Sequence, residues 1–363
     1  MRLEYKVSYR EKDGSIQCII AYKDGDKWRT KSKQGFKTQK ESKPWQDEAI
    51  TKIKKELKAS VKLDVKYKGI TYRELRKIYL EDMMIYREPN TVRAHEISLQ
   101  KFDGLENKVV GNIDFIDIKN EVNKMIKEGL EISTIQANVS RLNLFLNAAI
   151  NEYKAITNNP LKDIKLKLPS VKKKKEIRVL TNAEVEKLLN LISPEKDKMI
   201  VLIAVKCGLR AGEIVGLTWN DVDFKNADLI IDKQWKKLKT GEYGFGTLKS
   251  KNSYRKVPIP ADVIPELKKY KENAPRELKY DRVFPENTTS NLCTRLRFKF
   301  KRLGFENSMH DLRHTYATNL VARNIDFKTV SMYMGDTVDM VIKTYAHFTD
   351  EMYEAGKAKI NNL

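Results

Sequence analysis

The spacing of apolar residues changes along the chain, and this change limits the folds that it can adopt. At the N-terminal end, apolar and polar residues alternate in three runs, LEYKVSYR, SIQCIIAY and KWRTKSKQGF. Asp-Gly pairs at 13–14 and 24–25 separate these runs, and Asp-Gly is a typical turn of a β-hairpin. The stretch PWQDEAITKIKKELKA then has helical spacing, with Pro44 near its start. We predict a small domain of three strands and one helix at residues 1–62.

The next part of the chain is helical in pattern, from TYRELRKIYLEDMM to LFLNAAINEYKAI. Apolar stripes at this spacing are most simply explained by packing between helices. We expect N-caps at three polar residues, namely Thr91, Ser133 and Thr134. The pattern predicts a helical bundle over residues 68–165.

The charge balance indicates the kind of partner. The chain has 70 Lys and Arg against 49 Asp and Glu, which gives a net charge of +21. An excess spread along the chain suits a polyanion bound through its phosphates, although a merely lysine-rich surface or a ribosome-associated protein would have the same balance. No apolar run is long enough for a membrane span, and no secretory signal is apparent. Three widely separated cysteines fit a reducing cytoplasm and indicate neither a disulfide framework nor a zinc cluster.

The stretch KLKLPSVKKKKEIRVLT has no apolar periodicity and predicts an exposed linker at residues 166–178. It contains a run of four lysines, Lys172, Lys173, Lys174 and Lys175. We favour a strap that lies along nucleic-acid phosphates over an idle linker or a nuclear address.

A capping box formed by Thr181 and Glu184 then opens a new helix and a new domain, which we place at residues 179–363. We expect helices over 181–217, strands at ADLIIDKQWKKL and YRKVPIP, and helices again from about residue 261. The predicted fold class is α+β and multidomain: a small three-stranded sheet with a helix, a helical domain, and a mixed, mostly helical domain with a small sheet.

The segment MHDLRHTYA places His310, Arg313 and His314 on one face of a helix. One explanation is a metal pair, since H-D-x-x-H looks like the zinc motif H-E-x-x-H with the shorter Asp311 as its acid. The other is a grip on a phosphate, with the arginine as the fork and a histidine as its helper.

The segment VKCGLRAGEIVGLTW places Arg210 between two apolar helical runs, where a charged side chain needs a partner. Glu213, one turn further on, can be that partner. Taken alone, the pair is most simply a surface ion pair.

Two further segments carry chemically versatile side chains. Lys249 and Lys251 lie beside a probable turn, where lysines usually serve solubility. Tyr345 and His347 end the segment YMGDTVDMVIKTYAHF, where a tyrosine would ordinarily pack between helices.

Taken together, four segments resemble, in order and spacing, the four motif boxes of the tyrosine recombinases, the phage-type integrases. These segments are GLRAGE, TLKSKNSYRKVPI, HDLRHTYAT and MGDTVDMVIKTYAH. The upstream organisation resembles the integrases of phages and conjugative transposons. The resemblance implies an arm-site DNA-binding domain at 1–62, a core-site DNA-binding domain at 68–165, the basic linker, and a catalytic domain at 179–363.

The resemblance also implies a site-specific recombinase that integrates and excises a mobile element through a 3′-phosphotyrosyl intermediate. Tyr345 would be the nucleophile, and Arg210 and Arg313 would clamp the phosphate. His310 falls in the family's H-x-x-R box, so it would bond the phosphate or accept the tyrosine proton. This match favours the phosphate grip over the zinc site. This chemistry needs no metal, ATP or cofactor.

The other implied roles are less sharply defined. Lys249 would protonate the leaving 5′-oxygen, with Lys251 as the near alternative. Glu213 would orient the arginines or the lysine. His314 would either support the site or pack in the core.

Asp336 departs from the family pattern, which has His or Trp nine residues before the nucleophile. A carboxylate there would repel a phosphate unless it were protonated or turned away. Either Asp336 accepts a bond from a neighbouring donor, or His347 replaces the lost contact. We expect Asp336→His to retain or raise cleavage.

The implied partners are double-stranded DNA with core and arm attachment sites, three further protomers in a homotetramer, and in addition an excisionase and a host DNA-bending protein. The expected location is the cytoplasm of a bacterial host, on DNA, with no membrane contact. The alternatives are a type IB topoisomerase, which shares the chemistry, and a DNA-binding protein whose catalysis Asp336 has silenced.

Overall fold

The computed structural model describes residues 3–24, 27–59, 64–162, 168 and 178–345. The chain divides into two compact units, Met1–Lys172 and Lys173–Leu363. None of the helices within the described ranges is long and apolar enough to cross a membrane.

The first unit begins with an antiparallel sheet in the order β1-β2-β3. Its strands and the helix after them are β1 (Tyr5–Lys12), β2 (Ser15–Asp24), β3 (Lys27–Phe36) and α1 (Lys43–Ala59). Asp13 and Gly14 both have positive φ, 52° and 69°, as the tight turn between two twisted strands requires. Ile20 of β2 forms a small core with Ile50 and Ile53 of α1. The predicted three strands and one helix are confirmed.

Four helices, with short 3₁₀ turns before and between them, follow in the described residues of the first unit. They are α2 (Tyr72–Tyr86), α3 (Pro89–Gln100), α4 (Phe115–Lys127) and α5 (Ile132–Asn151), with 3₁₀ turns at Val65–Tyr67, Asp103–Leu105 and Val110–Asn112. Tyr72 and Phe145 are fully buried, and their rings meet edge to face with centroids 5.3 Å apart. The helical packing predicted from the apolar spacing is confirmed.

The three N-caps predicted in this region are wrong. Thr91 lies inside α3, which begins at Pro89, because proline has the φ of a first helical residue and no N–H to satisfy. Ser133 and Thr134 lie inside α5, which follows Glu131. This helix has to include Ile132, because Ile132 and Ile135 pack three residues apart into the same core.

In its described residues, the second unit combines helices with two small sheets around a large apolar core, and a second, smaller cluster includes Val330 of α12 and Tyr345 of α13. Its helices are α6 (Asn182–Leu191), α7 (Glu195–Cys207), α8 (Ala211–Gly216), α9 (Val263–Asn273), α10 (Thr289–Arg302), α11 (Met309–Ala322), α12 (Phe327–Met334) and α13 (Val338–Tyr345), with 3₁₀ turns at Trp219–Asp221 and Lys251–Ser253. The strands β4 (Val222–Asp223), β5 (Asp228–Ile231) and β8 (Arg255–Pro258) form one antiparallel sheet, and β6 (Gln234–Lys237) pairs with β7 (Tyr243–Gly246). The predicted capping box at Thr181 and Glu184 opens α6 and is confirmed.

The stretch predicted as strand at ADLIIDKQWKKL is two strands in two different sheets, β5 and β6. The chain leaves the first sheet at Asp232 and Lys233. Lys233 Nζ donates at 2.6 Å to both carboxylate oxygens of Asp221, which ties the break to the preceding 3₁₀ turn.

Two buried helices, α7 and α11, position the functional residues of this unit. Gly208 ends α7 with φ +67°, and a Cβ there would overlap the ring of Tyr316 on α11. This close approach brings the segment after α7, with Arg210, next to the start of α11, with His310, Arg313 and His314.

A candidate active site around two arginines

Arg210 is held by the turn that connects α7 to α8. Because Gly208 terminates α7, Arg210 becomes the N-cap residue of α8 with an extended backbone. Its backbone N–H donates to Glu213 Oε2 at 2.9 Å, and its guanidinium Nη1 donates to Glu213 Oε1 at 3.0 Å. Its Nη2 donates to the carbonyl of Gly335 at 3.1 Å, and the side chain remains 34% exposed.

Glu213 is 3% exposed and is held by a second arginine as well. Arg255, at the start of β8, donates to it from Nη1 at 3.1 Å and from Nη2 at 2.8 Å. Burial acts to raise the pKa of Glu213, but the bonds and charge of Arg255, followed by the charges of Arg313 and Arg210, outweigh it and lower this pKa. Glu213 is therefore an ionised carboxylate that holds the arginines in place.

Arg313 is almost completely buried, at 1% exposure. Its Nη1 donates to the carbonyl of Gly208 at 2.6 Å, and its Nη2 donates to the carbonyl of Met334 and to Asp336 Oδ2, the latter at 2.7 Å. Burial, and next the charge of Arg210, lower the pKa of Arg313 to about 10, so the guanidinium stays charged at neutral pH. Its position is fixed by backbone carbonyls of two different elements.

Asp336 joins the two arginines. Its Oδ1 accepts from Arg210 Nη2 at 2.6 Å, and its Oδ2 accepts from Arg313 Nη2. Gly335, with φ +61°, ends α12 and turns the chain so that the next residue faces the arginines. Of the two explanations offered for Asp336, the structure contains the first, a bond from neighbouring donors. His347, on which the second depends, lies outside the described residues.

Arg255 is a residue of this site that the sequence reasoning missed. Besides its bonds to Glu213, its Nε donates to the carbonyl of Tyr333 at 2.7 Å, so it connects β8 to the end of α12. Its side chain is 5% exposed. The pattern SYRKVPI does not distinguish Arg255 from the exposed Lys256 beside it. The one signal that could have found Arg255 is that a buried Glu213 needs more positive charge than a single arginine supplies.

The nucleophile candidate Tyr345 pairs with a histidine. Its hydroxyl lies 2.6 Å from His314 Nδ1, and the rings of His310 and His314 meet edge to face with centroids 4.5 Å apart. Tyr345 is 2% exposed and packs with Val330 on α12. The tyrosine contact thus belongs to His314, whereas the exposed His310 is the histidine open to a ligand.

The protonation states of this pair follow from burial. Burial, and next the neighbouring His310, lower the pKa of His314 to about 4. Burial also raises the pKa of Tyr345 above its usual value. At neutral pH, His314 is therefore uncharged, and its tautomer with the proton on Nε2 would accept the hydroxyl proton of Tyr345.

The predicted lysines stand apart from these contacts. Lys249 and Lys251 are exposed, and Lys251 opens the 3₁₀ turn Lys251–Ser253. This turn still borders the site, because a Cβ on Gly335 would lie 3.1 Å from the carbonyl oxygen of Asn252. The predicted phosphate strap of Lys172, Lys173, Lys174 and Lys175 lies outside the described residues. Within the described ranges, no three His, Cys, Asp or Glu side chains are grouped to hold a metal ion.

Comparison with known proteins agrees with the family resemblance of the four sequence motifs. Residues 178–352 match the sequence model of the phage integrase family. A "Tyrosine recombinase XerC-like" protein of Caldanaerobacter subterraneus subsp. tengcongensis is 28% identical, with 90% of this chain and 90% of that protein covered. The ICEBs1 integrase of Bacillus subtilis is 24% identical, with 82% of this chain and 84% of that protein covered. The Tn1549 transposon integrase, solved in complex with transposon right end DNA, superposes with a TM-score of 0.66 at 22% identity, over 80% of this chain and all of that one.

Proposed function

Because the chain belongs to the phage integrase family of tyrosine recombinases, we propose that it cuts and rejoins DNA strands at specific sites to integrate and excise a mobile element. The observation that carries this proposal is the convergence of Arg210 and Arg313 on one anionic group. Tyr345 is bonded to His314, the residue next to Arg313 on α11.

The reaction is a transfer of a phosphoryl group between oxygens. The hydroxyl oxygen of Tyr345 attacks a backbone phosphorus, and the bond from phosphorus to the 5′-oxygen breaks. His314 accepts the tyrosine proton, and Lys249 or Lys251 gives a proton to the leaving 5′-oxygen. The product is a 3′-phosphotyrosyl link. When the strand is rejoined, a second 5′-hydroxyl attacks this phosphorus and the bond to Tyr345 breaks.

Arg210 and Arg313 stabilise the charge that builds up on the non-bridging oxygens as the phosphorus becomes five-coordinate. Removing one such donor typically costs roughly 3–4 kcal/mol of transition-state stabilisation. Glu213 holds Arg210 in place through two hydrogen bonds, and two further bonds from Arg255 hold the buried Glu213 carboxylate. His310, exposed beside them, bonds the phosphate directly.

The partner is double-stranded DNA. We assign residues 68–165 to core sites, residues 1–62 to arm sites, and Lys172 to Lys175 to the phosphates between them, on the strength of the net charge of +21 and the family relationship. Recombination takes place in a homotetramer on DNA in the bacterial cytoplasm, assisted by an excisionase and a host DNA-bending protein. The ICEBs1 integrase of Bacillus subtilis among the relatives supports the bacterial setting.

A covalent-trapping experiment tests the chemistry. A nicked duplex that bears the element's end is incubated in EDTA with the wild type, with Tyr345→Phe and with Tyr316→Phe. The second variant removes another buried tyrosine hydroxyl of the same unit and serves as the control. We expect a protease-sensitive adduct on the 3′ phosphate with the wild type and with Tyr316→Phe, and none with Tyr345→Phe.

Three results would contradict the proposal. An adduct with Tyr345→Phe would show a different nucleophile. Bound DNA without any adduct would show a silenced site. Relaxation of a supercoiled plasmid that lacks the element's ends would indicate a topoisomerase.

A further inference from the structure

The two arginines already hold an anion that belongs to the chain itself. The two oxygens of the Asp336 carboxylate each accept from a different guanidinium, at 2.6 Å from Arg210 and 2.7 Å from Arg313. Two non-bridging oxygens of a phosphodiester would need the same two donors. Asp336 therefore occupies the place that the proposed function gives to the scissile phosphate.

A phosphate that binds to Arg313 would have to take the position of the Asp336 carboxylate. The other hydrogen bonds of the Arg313 guanidinium go to the carbonyls of Gly208 and Met334, which are parts of the fold. Arg313 is buried, whereas the Asp336 side chain is 35% exposed. Asp336 thus lies between solvent and the buried arginine, and it is the group that a ligand would have to replace.

We infer that Asp336 is a specificity-determining residue, a resident anion that the scissile phosphate must displace from Arg210 and Arg313. This inference rests on the proposed function. A ligand that needs a minor state of the protein binds more weakly by the fraction of molecules in that state. Incidental phosphates are therefore rejected, whereas a phosphate held in place by many other DNA contacts displaces the carboxylate.

The same contact constrains the segment that carries the nucleophile. Asp336 follows the end of α12 and precedes α13, which ends at Tyr345. While the carboxylate is bound to both arginines, the start of this segment is tied to α8 and α11. Displacement removes both carboxylate bonds when the phosphate arrives, and of the contacts between this segment and Arg210 it leaves the one to the carbonyl of Gly335.

The test uses inorganic phosphate and the full-length protein without DNA. Asp336→Asn keeps the shape of the side chain and removes its charge. Asp339→Asn, three residues further on at an exposed position, makes the same charge change and is the matched control. Binding is measured by calorimetric titration, and melting temperature is measured with and without phosphate.

We expect Asp336→Asn to bind phosphate about tenfold more tightly or better, because the competing state is removed. Without phosphate, this variant should melt below the wild type, since Arg210 and Arg313 then face each other without a carboxylate between them. Phosphate should restore its melting temperature by more than it raises that of the wild type. Asp339→Asn should behave as the wild type in each measurement.

Equal phosphate affinities for the wild type and Asp336→Asn would overturn the inference and leave the proposed function intact. If neither protein bound phosphate, the arginine pair would not be a phosphate site, and the proposed chemistry would fail with it. If Asp336→Asn does not fold, hydrogen exchange of the wild-type segment 335–345 decides the matter. Saturating phosphate should speed this exchange, and unchanged exchange would overturn the inference.

Discussion

Glu213 is the residue on which the arrangement of the arginines depends. It is buried, it accepts hydrogen bonds from Arg210 and Arg255, and its pKa is lowered by the charge of Arg313 as well. Removing one partner from a buried ion pair leaves the other charges uncompensated, and the cost of that is large. The position therefore links the stability of the second unit to the geometry of its site.

We expect Glu213→Gln to lower the free energy of unfolding by about 3–5 kcal/mol at pH 7. Because folding lowers the pKa of Glu213, its stabilisation is present above the unfolded carboxyl pKa of about 4.3 and disappears as the pH falls through the still lower folded value. The difference between wild type and variant, measured by urea unfolding, should therefore shrink below about pH 4.

The exposed Glu186 on α6 provides the control, and Glu186→Gln should change the free energy of unfolding by less than about 0.5 kcal/mol. A difference for Glu213→Gln that stays constant from pH 7 to pH 3 would show that its carboxylate is not the source of the stabilisation.

The chemistry at single residues could be predicted only where it is local. Arg210 and Glu213 are three residues apart, and their pairing followed from helical spacing. The bond between His314 and Tyr345 joins residues that are 31 positions apart, and the pairing depends on how α13 packs on α11. The bridge formed by Asp336 joins three separate elements, so the sequence could indicate only that a donor was needed.

At the scale of elements, the end of α12 determines where Asp336 points. Gly335 has a left-handed backbone, and a Cβ there would lie 3.0 Å from Arg255 Nη1 and 3.1 Å from the Asn252 carbonyl oxygen. The lysine-bearing turn, the start of β8 and the end of α12 are thus in contact around a residue without a side chain.

We expect Gly335→Ala to lose both stability and strand cleavage. Alanine with positive φ costs roughly 1–2 kcal/mol, and the added methyl group also displaces Arg255 or the turn. Gly304→Ala is the matched control, because Gly304 has φ +85° and a Cβ there meets nothing within 4 Å. Urea unfolding should show a loss in both variants, and the trapping assay a loss only in Gly335→Ala. Equal cleavage by the two variants would contradict this.

Elements whose signals are local were predicted well. The Asp-Gly turn between β1 and β2 and the Thr181 capping box follow from the conformations that these residues prefer. The break between β5 and β6 could not be predicted, because it depends on the ion pair of Lys233 with Asp221, 12 residues earlier. The misplaced caps of α3 and α5 show that core packing and Pro89 outweigh a nearby hydroxyl.

At the scale of the whole molecule, the net charge of +21 belongs to both compact units and to the lysine run at their boundary. Affinity that comes from phosphate contacts falls with salt, because each contact releases counterions. The slope of affinity against salt therefore measures how many contacts a segment makes.

Replacing Lys172, Lys173, Lys174 and Lys175 together by alanine should weaken DNA binding and reduce the salt slope, by roughly 0.9 for each phosphate contact that is lost. Replacing the same four lysines by arginine keeps the charge and should keep the slope. Titrations of a core-site duplex at several salt concentrations measure both. An alanine variant with the wild-type slope would show that the run is an idle linker.

The burial of Tyr345 has a consequence for the cell that carries this gene. Its hydroxyl is bonded to His314 and only 2% of the residue is exposed. In this conformation, the hydroxyl is therefore not accessible to chromosomal DNA. A stray break in the host genome would therefore require the end of α13 to move first, so that the Tyr345 hydroxyl leaves His314 and reaches a phosphate.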